Sequence, residues 1–175
     1  MRMFIALDLP LEVKNYIYRK IEDMVKVLDL KWVDYHLYHI TLKFLGEVSE
    51  NEIDKIDRKL YEISKKYRVF SLKLKNLGKF PVYSNEINVL WVGVESNEEL
   101  ENLAKDIHMN FKNYGDNKPF SPHITIARNK KLKAIKFKPI EFNFEFQIDE
   151  ITLFESILYP SGPVYKAFKT YALKL

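Results

Sequence analysis

His39-Ile40-Thr41-Leu42 and His123-Ile124-Thr125-Ile126 are nearly the same tetrapeptide, set 84 residues apart in a chain of 175. Each stretch alternates and is rich in β-branched residues, so each reads as a strand. Side chains at i and i+2 of a strand share a face. His39 and Thr41 therefore point one way while Ile40 and Leu42 point the other, and His123 and Thr125 stand against Ile124 and Ile126 in the same manner. Internal similarity at about half the chain length predicts two equivalent lobes. Each lobe buries its isoleucine face and presents an imidazole and a hydroxyl on the other. If the lobes pack about a pseudo-two-fold axis, the two polar faces meet across a cleft.

The flanking sequence supplies the rest of the lobes. Phe4 to Leu7 suits a buried strand, and Pro10 sits where a helix begins. Val13, Ile17, Ile21, Met24, Val25 and Leu28 recur at helical spacing, predicting a helix over about 10–28. Ser49-x-x-Glu52 and Ser96-x-x-Glu99 read as capping boxes, each followed by an apolar stripe of helical period. Strands are expected at 31–33, 69–77, 87–94 and 123–127, at two or three places within 142–158, and at 164–173. Gly78 to Ser84 reads as an irregular connection, and the third helix is expected to end near Gly115. Several neighbouring strands lack a helix between them, which predicts α+β with antiparallel or mixed pairing. The expected architecture is one two-lobed domain over 1–175. Its lobes hold roughly 80 to 90 residues each, with a mostly antiparallel sheet flanked by helices.

Composition narrows the chemistry. The chain has no Cys, which removes disulfide scaffolds, thiolate zinc sites and thiol nucleophiles. Imidazole chemistry must use His36, His39, His108 or His123. The charge sum of 28 basic and 24 acidic residues, +4, is a weak hint of polyanion partners. The N-terminal residues lack a signal-peptide pattern, and no apolar run reaches the roughly 20 residues of a membrane helix. A cytoplasmic, monomeric protein without an obligate protein partner is the expectation.

Two imidazoles of ordinary pKa can act as general base and general acid near neutral pH. Two threonine hydroxyls can hydrogen-bond the non-bridging oxygens of a phosphate. In-line displacement at a phosphodiester needs this set, with no metal or cofactor called for. Lys43 shares the His39 face if the strand continues, and Arg128 follows the second motif, so both are candidate phosphate cations. The run Arg128, Lys130, Lys131, Lys133, Lys136, Lys138 reads equally as a solvated loop or as an RNA-backbone contact. His36 is expected as a loop or surface residue, and His108, near the apolar stripe of the third helix, as a packing or surface histidine. A zinc site at His39 and His123 lacks the expected ligand spacing, and duplication that merely preserves a packing motif is the bland alternative.

The chain resembles the two-histidine phosphoesterase superfamily, and within it the RNA 2′,3′-cyclic phosphodiesterases also called 2′-5′ RNA ligases. The resemblance runs almost end to end, through Arg2 to Pro10, Lys31-Trp32-Val33, His39 to Val48, Leu90 to Val94, Pro119 to Arg128 and Gly162 to Tyr165. Asp34-Tyr35-His36 departs from it, since family members often carry proline there. The resemblance implies a bilobal α+β fold with the cleft between the lobes. It implies metal-independent hydrolysis of RNA 2′,3′-cyclic phosphate ends, tRNA fragments among them, to 2′-phosphates. It also supplies a direction that the near-symmetric motifs cannot: His123 as proton acceptor and His39 as proton donor. Thr41 and Thr125 would then hold the phosphate, with Arg128 at a matching position. A non-catalytic RNA- or nucleotide-binding module, or a cyclic phosphodiesterase for small nucleotides, are the alternatives.

Overall fold

The computed structural model describes residues 1–82, 87–129, 134 and 136–175. The chain runs β1 (Arg2–Asp8), α1 (Leu11–Val27), β2 (Lys31–Trp32), a 3-10 turn (Tyr35–Leu37), β3 (His39–Glu47), α2 (Glu50–Ser64), β4 (Phe70–Phe80), β5 (Val89–Glu95), α3 (Glu98–Asn110), β6 (His123–Arg128), β7 (Glu145–Ile148), β8 (Glu150–Tyr159) and β9 (Gly162–Ala172). The strands form two antiparallel sheets, a four-stranded one ordered β3-β1-β8-β9 and a five-stranded one ordered β2-β6-β5-β4-β7. The α+β, two-sheet expectation holds.

The division of the chain between the sheets differs from two sequence halves. The four-stranded sheet is built from the two ends of the chain, and the five-stranded sheet from its middle together with the short β2 that precedes β3. β1 explains the arrangement. Its residues Met3 to Leu7 are all buried, because the strand lies between β3 and β8 with both faces covered. The one solidly apolar strand of the N-terminus thus needs the C-terminal hairpin β8–β9 to complete its sheet.

The helices bury the stripes expected of them. α2 and α3 lie on the four-stranded sheet, α3 against β3 and α2 against β8 and β9, through Ile56, Leu60 and Ile63 and through Leu100, Leu103 and Ile107. α1 buries Val13, Ile17 and Ile21 and reaches the segment before β7, where the Tyr16 ring lies edge-on to Phe142 at 6.4 Å and tilted against Phe144 at 4.9 Å. The two capping boxes do not form as expected. Ser49 Oγ donates to the Glu52 carboxylate instead of capping the backbone. The third helix is capped by Asn97, whose Oδ1 accepts from Leu100 N–H at 2.9 Å, while Ser96 turns to Glu101. β4 also runs on through Gly78 to Phe80, where an irregular connection was expected.

Both motif strands break register at the same place. Ala6 faces Thr41 and Ile5 faces Lys43, so Leu42 is an extra residue in β3. Trp91 faces Thr125 and Leu90 faces Ala127, so Ile126 is an extra residue in β6. These are β-bulges, and each shifts the inside–outside alternation of the residues that follow it, in β3 up to a second break at Leu45. Strict alternation would place Lys43 beside His39 and turn Arg128 inward with Ile124. The bulges do the reverse: Lys43 and Ala127 go to the buried side opposite Ile5 and Leu90, and Phe44 and Arg128 come out.

The turn after α3 locks onto the first of these strands. Gly115 has φ +59, and a Cβ there would collide with the backbone carbonyl of Phe44. Gly115→Ala should therefore destabilise the fold by about 1–3 kcal/mol. Denaturant unfolding would show a lower midpoint with an unchanged slope; an unchanged midpoint would mean that the turn does not dock on β3.

Candidate active site

β3 and β6 approach each other where the two sheets meet, which brings the two motifs to one cleft. His39 and His123 are held alike. His39 Nδ1 lies 2.7 Å from the Leu37 carbonyl and His123 Nδ1 lies 2.6 Å from the Ser121 carbonyl, in each case two residues back. A carbonyl only accepts, so Nδ1 carries the proton and Nε2 is the working nitrogen on both rings. Thr41 Oγ1 sits 2.9 Å from His39 Nε2 and donates to it while the ring is neutral. Thr41 and Thr125 are both half-buried beside their histidines.

The surroundings of the two rings differ. His39 lies among Phe4, Tyr165 and Phe154, with ring centroids 5.1, 5.3 and 6.2 Å away. His123 meets the edge of Phe80 at 5.4 Å and lies 6.4 Å from Trp91. The Trp91 indole lies flat across Gly78, where a Cβ would have no room. Burial pushes both histidines below the ordinary 6.5. For His39, the Leu37 carbonyl and the Asp8 charge oppose this, while Lys14 and His123 add to it. For His123, the Ser121 carbonyl opposes it and Arg128 adds to it. His123 acting on His39 places the two rings in one electrostatic space.

Arg128 is exposed on the cleft side, and its charge also acts on Tyr165 across the gap between the sheets. Lys43 corrects the expectation. It is 3 % exposed and its Nζ is bound to the Asp116 carbonyl and to Asn117 Oδ1 at 3.1 Å. The bulge at Leu42 takes it off the His39 face, and it serves as a tie between β3 and the turn after α3. Lys130, Lys131 and Lys133 lie outside the described residues, while Lys136 and Lys138 are exposed. His36 is exposed and bound to Asp34. Among the described residues, no three His, Asp or Glu side chains are grouped to hold a metal ion. A hollow of about 460 Å³ against Ser71, Lys73, Glu95 and Asn97 contains neither motif.

Comparison with known proteins covers the chain almost end to end. The 2′-5′ RNA ligase superfamily profile matches residues 16–157. The chain belongs to the 2′-5′ RNA ligase superfamily. Among superfamily members it is 36 % identical to the RNA 2′,3′-cyclic phosphodiesterase of Methanocaldococcus jannaschii, over 97 % of this chain and 99 % of that one. It is 34 % identical to the protein of the same name from Thermotoga maritima, over 95 % and 92 %. Its fold matches TT0787 of Thermus thermophilus with a TM-score of 0.90 at 30 % identity, covering 99 % of this chain and 98 % of that one. It also matches E. coli LigT complexed with 3′-AMP, with a TM-score of 0.84 at 27 % identity over the same shares.

His108, read from the sequence as a packing or surface histidine, ties α3 to the first motif strand. Its Nε2 lies 2.8 Å from the Leu42 carbonyl, the extra residue of the β3 bulge. The equivalent carbonyl of β6, on Ile126, accepts from Val33 N–H at 2.9 Å. Each bulged carbonyl thus finds a donor on another element, as a buried backbone group must. His108→Leu should cost about 1–3 kcal/mol of stability and lower kcat about ten- to a hundredfold through misplacement of the first motif. His108→Gln, which keeps a donor near Nε2, should restore most of both. Equal losses in the two variants, read by unfolding and steady-state kinetics, would contradict this role.

Proposed function

We propose that the protein is an RNA 2′,3′-cyclic phosphodiesterase that opens the cyclic phosphate at an RNA end and leaves a 2′-phosphate. The observation that carries this reading is the pair of Nε2-presenting imidazoles, each anchored through Nδ1 and each beside a threonine hydroxyl, on two strands that meet at one cleft. The names carried by relatives over nearly their whole lengths support the same substrate class.

The chemistry follows from that geometry. His123 Nε2 takes a proton from water as its oxygen attacks phosphorus, and His39 Nε2–H gives a proton to the departing 3′ oxygen on the opposite side. Thr41 and Thr125 donate to the non-bridging oxygens, and Arg128 offsets their charge. Proton exchange with solvent then resets both rings. His39 must be protonated to act, yet burial favours its neutral form. The phosphodiester anion supplies the compensation, since an adjacent negative charge raises an imidazole pKa. A ribose 5′ hydroxyl in place of water yields a 2′-5′ linkage by the same steps. RNA is the expected partner; among the described residues no helix is long and apolar enough to cross a membrane.

RNA ending in a 2′,3′-cyclic phosphate, incubated with the protein in chelator, should yield a 2′-phosphate end. A 3′-phosphate product would overturn the assigned leaving group. Binding without turnover would favour a nucleotide-binding module instead. His39→Ala and His123→Ala should each lose about 10²- to 10⁴-fold in kcat/KM.

The pH profile carries a sign. kcat/KM reports the free enzyme, and both histidines there titrate below 6.5. Activity requires one ring protonated and the other neutral, so the bell-shaped profile should peak on the acid side of 6.5. A maximum well above 7 would contradict the burial of these two groups.

A further inference from the structure

Lys14 is a buried ammonium that the reaction as drawn does not use. It is 7 % exposed and lies on the face of α1 that buries Val13, Ile17 and Ile21. A buried charge is costly unless its hydrogens are taken. Lys14 Nζ donates to Asp8 Oδ1 at 2.8 Å and to the His36 carbonyl at 2.7 Å. Asp8 ends β1 and faces His39 across the β1–β3 ladder, and its Oδ1 also accepts from Leu9 N–H at 2.9 Å. The ammonium thus ties the end of β1, the first turn of α1 and the 3-10 turn before β3 to one point.

The bond to His36 bears on the next residues of the chain. The last carbonyls of a short helix have no donor within it. Around Tyr35–Leu37 the Asp34 and Tyr35 carbonyls are taken by Leu37 N–H at 2.9 Å and Tyr38 N–H at 3.1 Å, which leaves those of His36 and Leu37. Lys14 takes the first, and the His39 ring, through Nδ1, takes the second. The two carbonyls belong to adjacent rigid peptide units, so holding one limits how far the other can swing.

The second motif is restrained differently. The Ser121 carbonyl that anchors His123 lies between Pro119 and Pro122, whose rings fix the backbone φ. The stretch from Asp34 to Tyr38 has no proline. Its turn is held on α1 from outside, by Lys14 at the His36 carbonyl and by Tyr18 stacked on Tyr35 at 4.9 Å.

We propose that Lys14 is a positioning residue for proton transfer by His39: it holds the turn whose last carbonyl keeps Nδ1 protonated and Nε2 turned to the cleft. The proposal rests on the cyclic-phosphodiesterase reading for the part that His39 plays. Lys14 acts through the Leu37 carbonyl and not on the phosphate.

The test is Lys14→Met, which keeps an apolar stem of similar length and removes the donors. Imidazole nitrogen NMR spectra of the isotope-labelled protein, recorded well above pH 6.5 where both rings are neutral, report which nitrogen carries the proton. In the unmodified protein His39 should be the Nδ1–H form. In Lys14→Met it should become a mixture with the Nε2–H form, because the form present follows the bond that the other nitrogen makes, while His123 stays Nδ1–H. Loss of a nearby charge alone would move the titration of His39 and leave its tautomer unchanged. On a 2′,3′-cyclic phosphate substrate kcat should fall about ten- to a hundredfold, with KM little changed. Lys14→Arg, which still donates to both acceptors, should restore the tautomer and most of kcat. Lys14→Gln, shorter and uncharged, repeats the comparison where Lys14→Met does not fold. An unchanged His39 tautomer or an unchanged kcat in the neutral variant, or tautomer mixtures at both histidines, would overturn the assignment. A shift confined to His39 in a protein that turns over no cyclic phosphate would uphold the positioning by Lys14 and remove the enzymatic reading instead.

Discussion

Two β-bulges, at Leu42 and Ile126, are the constraint from which the rest of the site follows. Each sits immediately after a His-x-Thr pair and reverses which side the next residues face. In β6 the reversal brings Arg128 out to the side of His123; in β3 it brings out Phe44 and sends Lys43 inward. A bulge leaves a backbone carbonyl out of its ladder, and burial makes that carbonyl costly unless it is paired. The fold answers with one donor for each, His108 from α3 and Val33 next to β2. The outer elements therefore help to fix where the motif side chains stand.

The two histidines repeat the same local device in unequal settings. Both fix Nδ1 on a carbonyl two residues back, which frees Nε2 for proton transfer. His39 lies within an aromatic cage of the four-stranded sheet, whereas His123 meets Phe80 and Trp91 at the margin of the five-stranded one. Near-symmetric sequence thus becomes asymmetric space. That asymmetry suits the proposed reaction, whose two sides differ, with a ribose oxygen departing on one side and a water arriving on the other.

Much of this was legible in the residues. Period-two patterning located His39, Thr41, His123 and Thr125 on strands and predicted the shared faces within each pair. Helical periodicity located all three helices. What escaped was the register of the ladders. No local signal in Leu42-Lys43 or Ile126-Ala127 announces a bulge, because the extra residue is fixed by pairing with β1 and β5, far away in sequence. Lys43 was misplaced for that reason, and His108 looked like packing because its partner is a backbone carbonyl. The assignment of strands to sheets escaped too: β1 is completed by β8, about 150 residues later, and helix-and-strand order alone does not reveal that closure.

The central claim is that one phosphate sits between the two His-x-Thr strands with an imidazole at each apex of the displacement. A crystal structure with uridine 2′,3′-cyclic vanadate, a five-coordinate mimic of the transferring phosphate, tests it most directly. The account predicts His39 Nε2 at hydrogen-bond distance from one apical oxygen, His123 Nε2 at that distance from the other, and Thr41 and Thr125 hydroxyls on the equatorial oxygens. A vanadate bound by only one of the motifs, or with both imidazoles on the same side of its equatorial plane, would contradict it.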